Sequence, residues 1–156
     1  MRENIITQHL RISIKAVALG FLTDIAGSVL CGIGLSIAVV IGLIAHGVPA
    51  DQIPVHMSGM AVAITAGVLG FGFTVLGGYV AGRVAGRSEV LHGGVVGVVG
   101  IVLGLLGAAK LPQWCVVAEA LSSIPLGMLG GFLARRRVAL KDEQVEHTQE
   151  DNSTRT

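Results

Sequence analysis

The run VALGFLTDIAGSVLCGIGLSIAVVIGLIA, residues 17–45, decides the fold. Asp24 is its single charged residue, and no proline interrupts it. A helix crosses the hydrocarbon of a bilayer in about 20 residues. This run exceeds that length, so it predicts a first membrane helix that tilts or projects past the hydrocarbon. Upstream lie Arg2, Arg11 and Lys15, which with the apolar run resemble a secretory signal. A signal's apolar core spans only about 7–15 residues, and no small-x-small cleavage site follows. Residues 1–16 are therefore read as a cytoplasmic segment before a retained helix. Downstream, three further apolar runs at about 57–82, 90–109 and 113–134 are each long enough to span. No period-2 alternation supports a barrel. The expected fold is an all-α membrane protein, a bundle of four transmembrane helices over 17–134.

Composition agrees. Charged residues make up 13% of the chain and hydrophobic residues 52%, whereas soluble domains are about a quarter charged. Net charge of +1 and 4% aromatics leave neither a basic field nor stacking platforms, so no nucleic-acid partner is expected. Cys31 and Cys115 have no metal-binding spacing. They are read as small packing residues, with an interhelical disulfide as the alternative. Beyond Ala134 the sequence turns polar and charged, and 135–156 reads as a disordered cytoplasmic tail.

Pro49 and Pro54 interrupt helical patterning after the first span, Ser88 is a candidate N-cap before the third, and Lys110-Leu111-Pro112 precedes the fourth. Orientation follows from the cations. Alternating spans put ten of the 11 Lys and Arg on one side and leave Lys110 on the other. The positive-inside bias makes that side cytoplasmic, with both termini there, and puts Trp114 at the outer interface. The expected location is a bacterial inner membrane.

Two stretches read alike: Leu76-Gly77-Gly78-Tyr79-Val80-Ala81-Gly82-Arg83 and Leu129-Gly130-Gly131-Phe132-Leu133-Ala134-Arg135-Arg136. Both fall at the cytoplasmic end of an out-to-in helix. Duplication of a helical hairpin explains the match, and so does convergence of glycine-rich helix ends. Glycines supply a second pattern. Gly78, Gly82 and Gly86 recur every four residues, and Gly93, Gly97, Gly100, Gly104 and Gly107 make a smooth face on the third span. Small residues allow close approach of membrane helices, within one chain or between copies.

Two acids lie within the apolar spans. Asp24 shares a stripe with Gly20, Ser28, Gly32 and Ser36, and a lipid-facing carboxylate there costs about 2.5–3.5 kcal/mol on insertion scales. It reads either as a proton or cation site or as a buried acid paired with Arg83 or a hydroxyl. Glu119 shares its region with Ser122, Ser123 and Pro125, whose ring frees a helix carbonyl. By depth the two acids fall in different leaflets, with Ser28 or Ser36 as intermediates. Arg83, Arg135, Arg136 and Arg137 read as topology determinants that meet lipid phosphates, with Tyr79 and Phe132 filling space beside them. His46, Asp51 and His56 flank the first connection in no recognised metal motif, and His92 is spaced to pair with Glu89 on one helix face. No cofactor site and no nucleophile elbow, P-loop or HExxH motif is present.

The run Gly77-Gly78-Tyr79-Val80-Ala81-Gly82-Arg83, with Leu91-His92-Gly93 and an Asp in the first helix, resembles a signature of small uncharacterised bacterial four-helix inner-membrane proteins. The resemblance covers residues 10–135. It implies the same topology and carries no activity. Two functional classes follow from the sequence. One is a non-enzymatic packing component that self-associates or joins a larger membrane complex. The other is a small transporter or channel using Asp24 and Glu119.

Overall fold

A computed structural model describes residues 12–107 and 113–153, with the backbone alone from 138 onward. It contains α1 (Ile14–Ala45), α2 (Ile53–Met57), α3 (Met60–Ala85), α4 (Glu89–Gly107) and α5 (Gln113–Ser153). There is no strand among the described residues. Four helices are long and apolar enough to cross a membrane: Ile14–Ala45, Met60–Ala85, Glu89–Leu106 and Val116–Arg137. The chain is a multi-pass, all-α four-helix bundle.

Local chemistry sets the ends of these helices. Ser13 has extended backbone, and its hydroxyl accepts from the Ala16 N–H, capping α1. At the other end Gly47 adopts φ +75°. There the Gly47 N–H donates to the Ile44 carbonyl and the Val48 N–H to the Leu43 carbonyl. This pair of bonds is a Schellman stop, which needs a left-handed residue that glycine adopts without a Cβ clash. Gly86, at φ +62°, ends α3 in a similar way, its N–H donating to the Gly82 carbonyl. Pro54 sits in the first turn of α2, where its missing N–H costs nothing. Ser88 holds φ +47°, and its carbonyl accepts from the Leu91 and His92 N–H groups as α4 begins.

Two expected boundaries move. The second span begins at Met60 because α2 forms a separate turn first. The polar tail, expected to lack structure, is helical to Ser153. No Gly or Pro follows Gly131, and Arg, Ala, Leu, Lys, Glu and Gln are strong helix formers, so propensity extends a helix the membrane has already nucleated. Residues 108 and 109, the expected end of the third span, lie outside the described residues.

The helices pack unevenly. α5 lies against α3 and α4, and α1 packs mainly on α3. At the Arg-rich end the backbones touch through glycine. A Cβ on Gly20 would strike Gly77 and Ala81, one on Gly78 or Gly93 would strike Gly127, one on Gly97 the Ser123 carbonyl, and one on Gly131 Glu89. Most of the buried residues sit toward this end: Ala16 and Gly20 on α1, Gly77, Gly78, Ala81 and Gly82 on α3, His92, Gly93, Val96 and Gly97 on α4, and Gly127, Gly130, Gly131 and Ala134 on α5, with Asp24 and Ser123 buried nearer the middle. Beyond Asp24 no residue of α1 is buried. The bundle is closed at its basic end and splayed at the other.

Candidate functional site

The splay leaves a half-open cavity of about 570 Å³ between α1, α3, α4 and α5. Its residues run from Phe21 to Val29 on α1, Ala63 to Thr74 on α3, Gly100 to Gly104 on α4 and Trp114 to Ser123 on α5. The stretches of α4 and α5, and most of that of α3, belong to the half away from the basic end. The stretch from Phe21 to Val29 lies in the half of α1 nearer that end, so the cavity reaches down to the glycine contacts. Asp24 and Glu119 both line it, and among the described residues no Lys, Arg or His does. The two acids, expected at different depths and not in direct contact, share the wall of one cavity. Asp24 is about 15 Å along α1 and Glu119 about 9 Å along α5 from the opposite end, and one cavity spans both levels.

Asp24 is only 9% exposed. The Thr74 hydroxyl lies 3.4 Å from its Oδ1 and 3.2 Å from the Gly70 carbonyl. A hydroxyl has one proton and two lone pairs. When Asp24 is ionised, Thr74 can donate to it. When Asp24 is protonated, Thr74 can donate to Gly70 and accept from the carboxyl. The pair accommodates both protonation states without moving a helix. Ser28, one turn on, also lines the cavity. Arg83, the expected alternative partner, is exposed and turns to its own helix, donating to the Tyr79 hydroxyl at 3.3 Å.

Glu119 is positioned by absence of bulk. A Cβ on Gly104 would come within 2.9 Å of its Oε1, so the glycine makes room for the carboxylate. Ser123 is 4% exposed, and its hydroxyl donates to the Glu119 carbonyl at 2.7 Å. Of the two neighbouring serines, Ser123 lines the cavity and Ser122 does not. Ser36 is also outside it, on the exposed part of α1.

The glycines expected to mediate packing divide. Gly78, Gly82, Gly93 and Gly97 make backbone or Cβ contacts with neighbouring helices, Gly104 faces Glu119, and Gly86 and Gly100 have nothing within 4 Å of an added Cβ. Gly86 is a helix stop, and Gly100 lines the cavity. The matched stretches carry a matched pair of contacts at the basic end: Arg83 lies 5.9 Å from the Tyr79 ring centroid and Arg136 5.0 Å from that of Phe132. Their glycines do not match, since Gly77 meets α1 while its counterpart Gly130 meets Val75 and Tyr79 of α3. Arg135 and Arg137 are exposed beside them.

No protein-family model, curated protein or solved structure matches the chain. The cavity's own chemistry therefore carries the functional argument.

Sequence reasoning missed Thr74 and His92's true role. Thr74 belongs to the run Gly70, Thr74, Gly78, Gly82 at four-residue spacing, so extending the glycine stripe by two turns finds it. His92 does not pair with Glu89. It is fully buried, its Nδ1 donates to the Ser88 carbonyl at 3.0 Å, and its Nε2 accepts the Ser13 N–H at 2.9 Å. An Nε2 that accepts cannot carry a proton, so the ring is neutral with Nδ1 protonated. It ties the start of α1 to the start of α4. His46 bonds its own Gly42 carbonyl, and no three His, Cys, Asp or Glu residues converge among the described residues.

Proposed function

We propose that this protein is a small inner-membrane carrier, with both termini cytoplasmic, that exchanges protons for a cargo at Asp24 and Glu119. The observation that carries the reading is one half-open cavity holding both intramembrane acids, with close glycine contacts between helices at the basic end. Intramembrane acids on a pathway are the usual means by which membrane proteins couple protons to transport. Under the positive-inside rule the seal is cytoplasmic and the opening faces out, one half of an alternating-access cycle. The glycines that favoured an assembly role serve contacts within the chain, at Gly78, Gly82, Gly93 and Gly97. That reading therefore has less support.

The test is reconstitution into vesicles with a trapped pH-sensitive dye. Under an imposed pH gradient, addition of a panel of inorganic and organic cations is expected to dissipate the gradient faster than in protein-free vesicles for at least one member. Asp24→Asn should remove that effect. Equal rates with and without protein across the whole panel would refute a carrier.

A further inference from the structure

The walls of the cavity speak to what it holds. Its volume of about 570 Å³ lies in the range of about 300–1,000 Å³ typical of small-molecule sites and far above the roughly 30 Å³ of one water. Most of its lining is aliphatic or glycine, with Phe21, Phe71 and Trp114 adding aromatic surface. The polar groups are Asp24, Ser28, Thr74, Glu119 and Ser123. Among the described residues the charged ones are both anionic. This combination is complementary to one chemistry: a bulky apolar body carrying a positive charge. Carboxylates supply the counter-charge, and ring faces attract cations within about 6 Å of their centroids.

A bare metal ion fits less well. Calcium takes six to eight oxygens at about 2.3–2.6 Å and magnesium six at about 2.0–2.1 Å. The two acids here sit at different depths, and the Ser123 hydroxyl donates to a backbone carbonyl. Phospholipid fits less well too, because among the described residues no cation lines the cavity to meet its phosphate.

We infer that the Asp24–Glu119 cavity binds a lipophilic organic cation, of the quaternary ammonium or phosphonium type. The inference rests on the carrier reading for transport, though not for binding. The cation enters from the splayed end and lies against α1 and α3 with its charge toward Asp24, and a proton leaves the carboxyl as it binds. No covalent bond is made or broken beyond that O–H.

The experiment uses the full chain in nanodiscs with three probes: tetraphenylphosphonium, the anion tetraphenylborate and sodium ion. Saturable binding of tetraphenylphosphonium, with proton release in weakly buffered solution, is expected. Asp24→Asn should weaken it at least tenfold, and Asp24→Glu should restore most of the loss. Gly67→Phe adds bulk to the cavity from α3 while leaving both acids in the sequence, at a position where nothing lies within 4 Å of an added Cβ, and it should weaken binding as well. Helix content by circular dichroism separates lost charge from lost fold. Equal binding of the borate anion, non-saturable uptake, or indifference to Asp24→Asn would each overturn the inference, as occupation by lipid or by a second copy would produce. If tetraphenylphosphonium binds but no cation moves protons across vesicles, the carrier reading fails and the site stands. If inorganic cations drive Asp24-dependent flux and tetraphenylphosphonium does not bind, the reverse holds.

Discussion

Three glycines on one face of α4 have three different consequences. A methyl on Gly97 would collide with the Ser123 carbonyl and the Ile124 backbone, one on Gly100 meets nothing within 4 Å, and one on Gly104 meets the end of the Glu119 side chain. Backbone cannot yield as a flexible side chain can, and overpacking costs about 1–3 kcal/mol. Gly97→Ala should therefore destabilise the protein by about that amount. Gly100→Ala should be neutral or slightly stabilising through helix propensity. Denaturant titration followed by circular dichroism in mild detergent measures both, and similar losses for the two would refute the packing. The same residues mark what the sequence can convey. The glycine stripe was legible, because period and composition reveal a smooth face. Which glycine meets backbone was not, since that depends on the axial offset between α4 and α5. Asp24 was legible for a different reason: an acid in hydrocarbon is costly enough to demand a partner. The choice between Ser122 and Ser123 was not, because adjacent residues differ by about 100° around the axis and the rotation of α5 is set by its neighbours.

At the level of elements, the four spans were readable from hydropathy because lipid forces each to satisfy its own backbone bonds. Their joints were less so. The link between α1 and α4 joins Ser13 and His92, separated by 79 positions, and no local pattern announces it. A neutral ring here bridges two helix starts, accepting a backbone N–H that α1 cannot satisfy internally. Replacing His92 by Phe keeps the bulk and removes both ring nitrogens. Leaving a buried donor unmatched costs about 1–3 kcal/mol, and the loss should concentrate where α1 begins. Hydrogen exchange in nanodiscs should show faster exchange at Ser13 and the first turn of α1, with the middle of α5 unchanged. Uniform change along all helices would mean the histidine merely fills space. The tail teaches a complementary lesson about elements. Its polarity pointed away from structure, yet the backbone is helical to Ser153, because nothing after Gly131 breaks the helix.

For the whole molecule, the asymmetry between a sealed end and a splayed end decides which solvent reaches the acids. Arg83, Arg135, Arg136 and Arg137 are exposed at the sealed end, and Trp114, 47% exposed, is at the other; in the proposed orientation the sealed end is the cytoplasmic one. Composition could forecast the vector but not the splay, which arises because α1 has close glycine contacts at Gly20 and Gly27 and none at Gly32, Gly34 or Gly42. A thiol at Ser28 or Gly67 on the cavity wall would therefore meet reagent from one side of the membrane. Cys31 is a free thiol, so the labelling is best done in a cysteine-free background with Ser28→Cys or Gly67→Cys added singly. In intact cells permeable only at the outer membrane, a charged maleimide should modify both positions. In inside-out vesicles the same reagent should leave them at least tenfold less modified. A bulky organic cation added first should protect them in the cells, since it would occupy the space the reagent must cross. Equal modification from both faces would mean that the glycine contacts do not close the bundle. Modification only from the cytoplasmic face would reverse the orientation and put the acids on the other side of the permeability barrier.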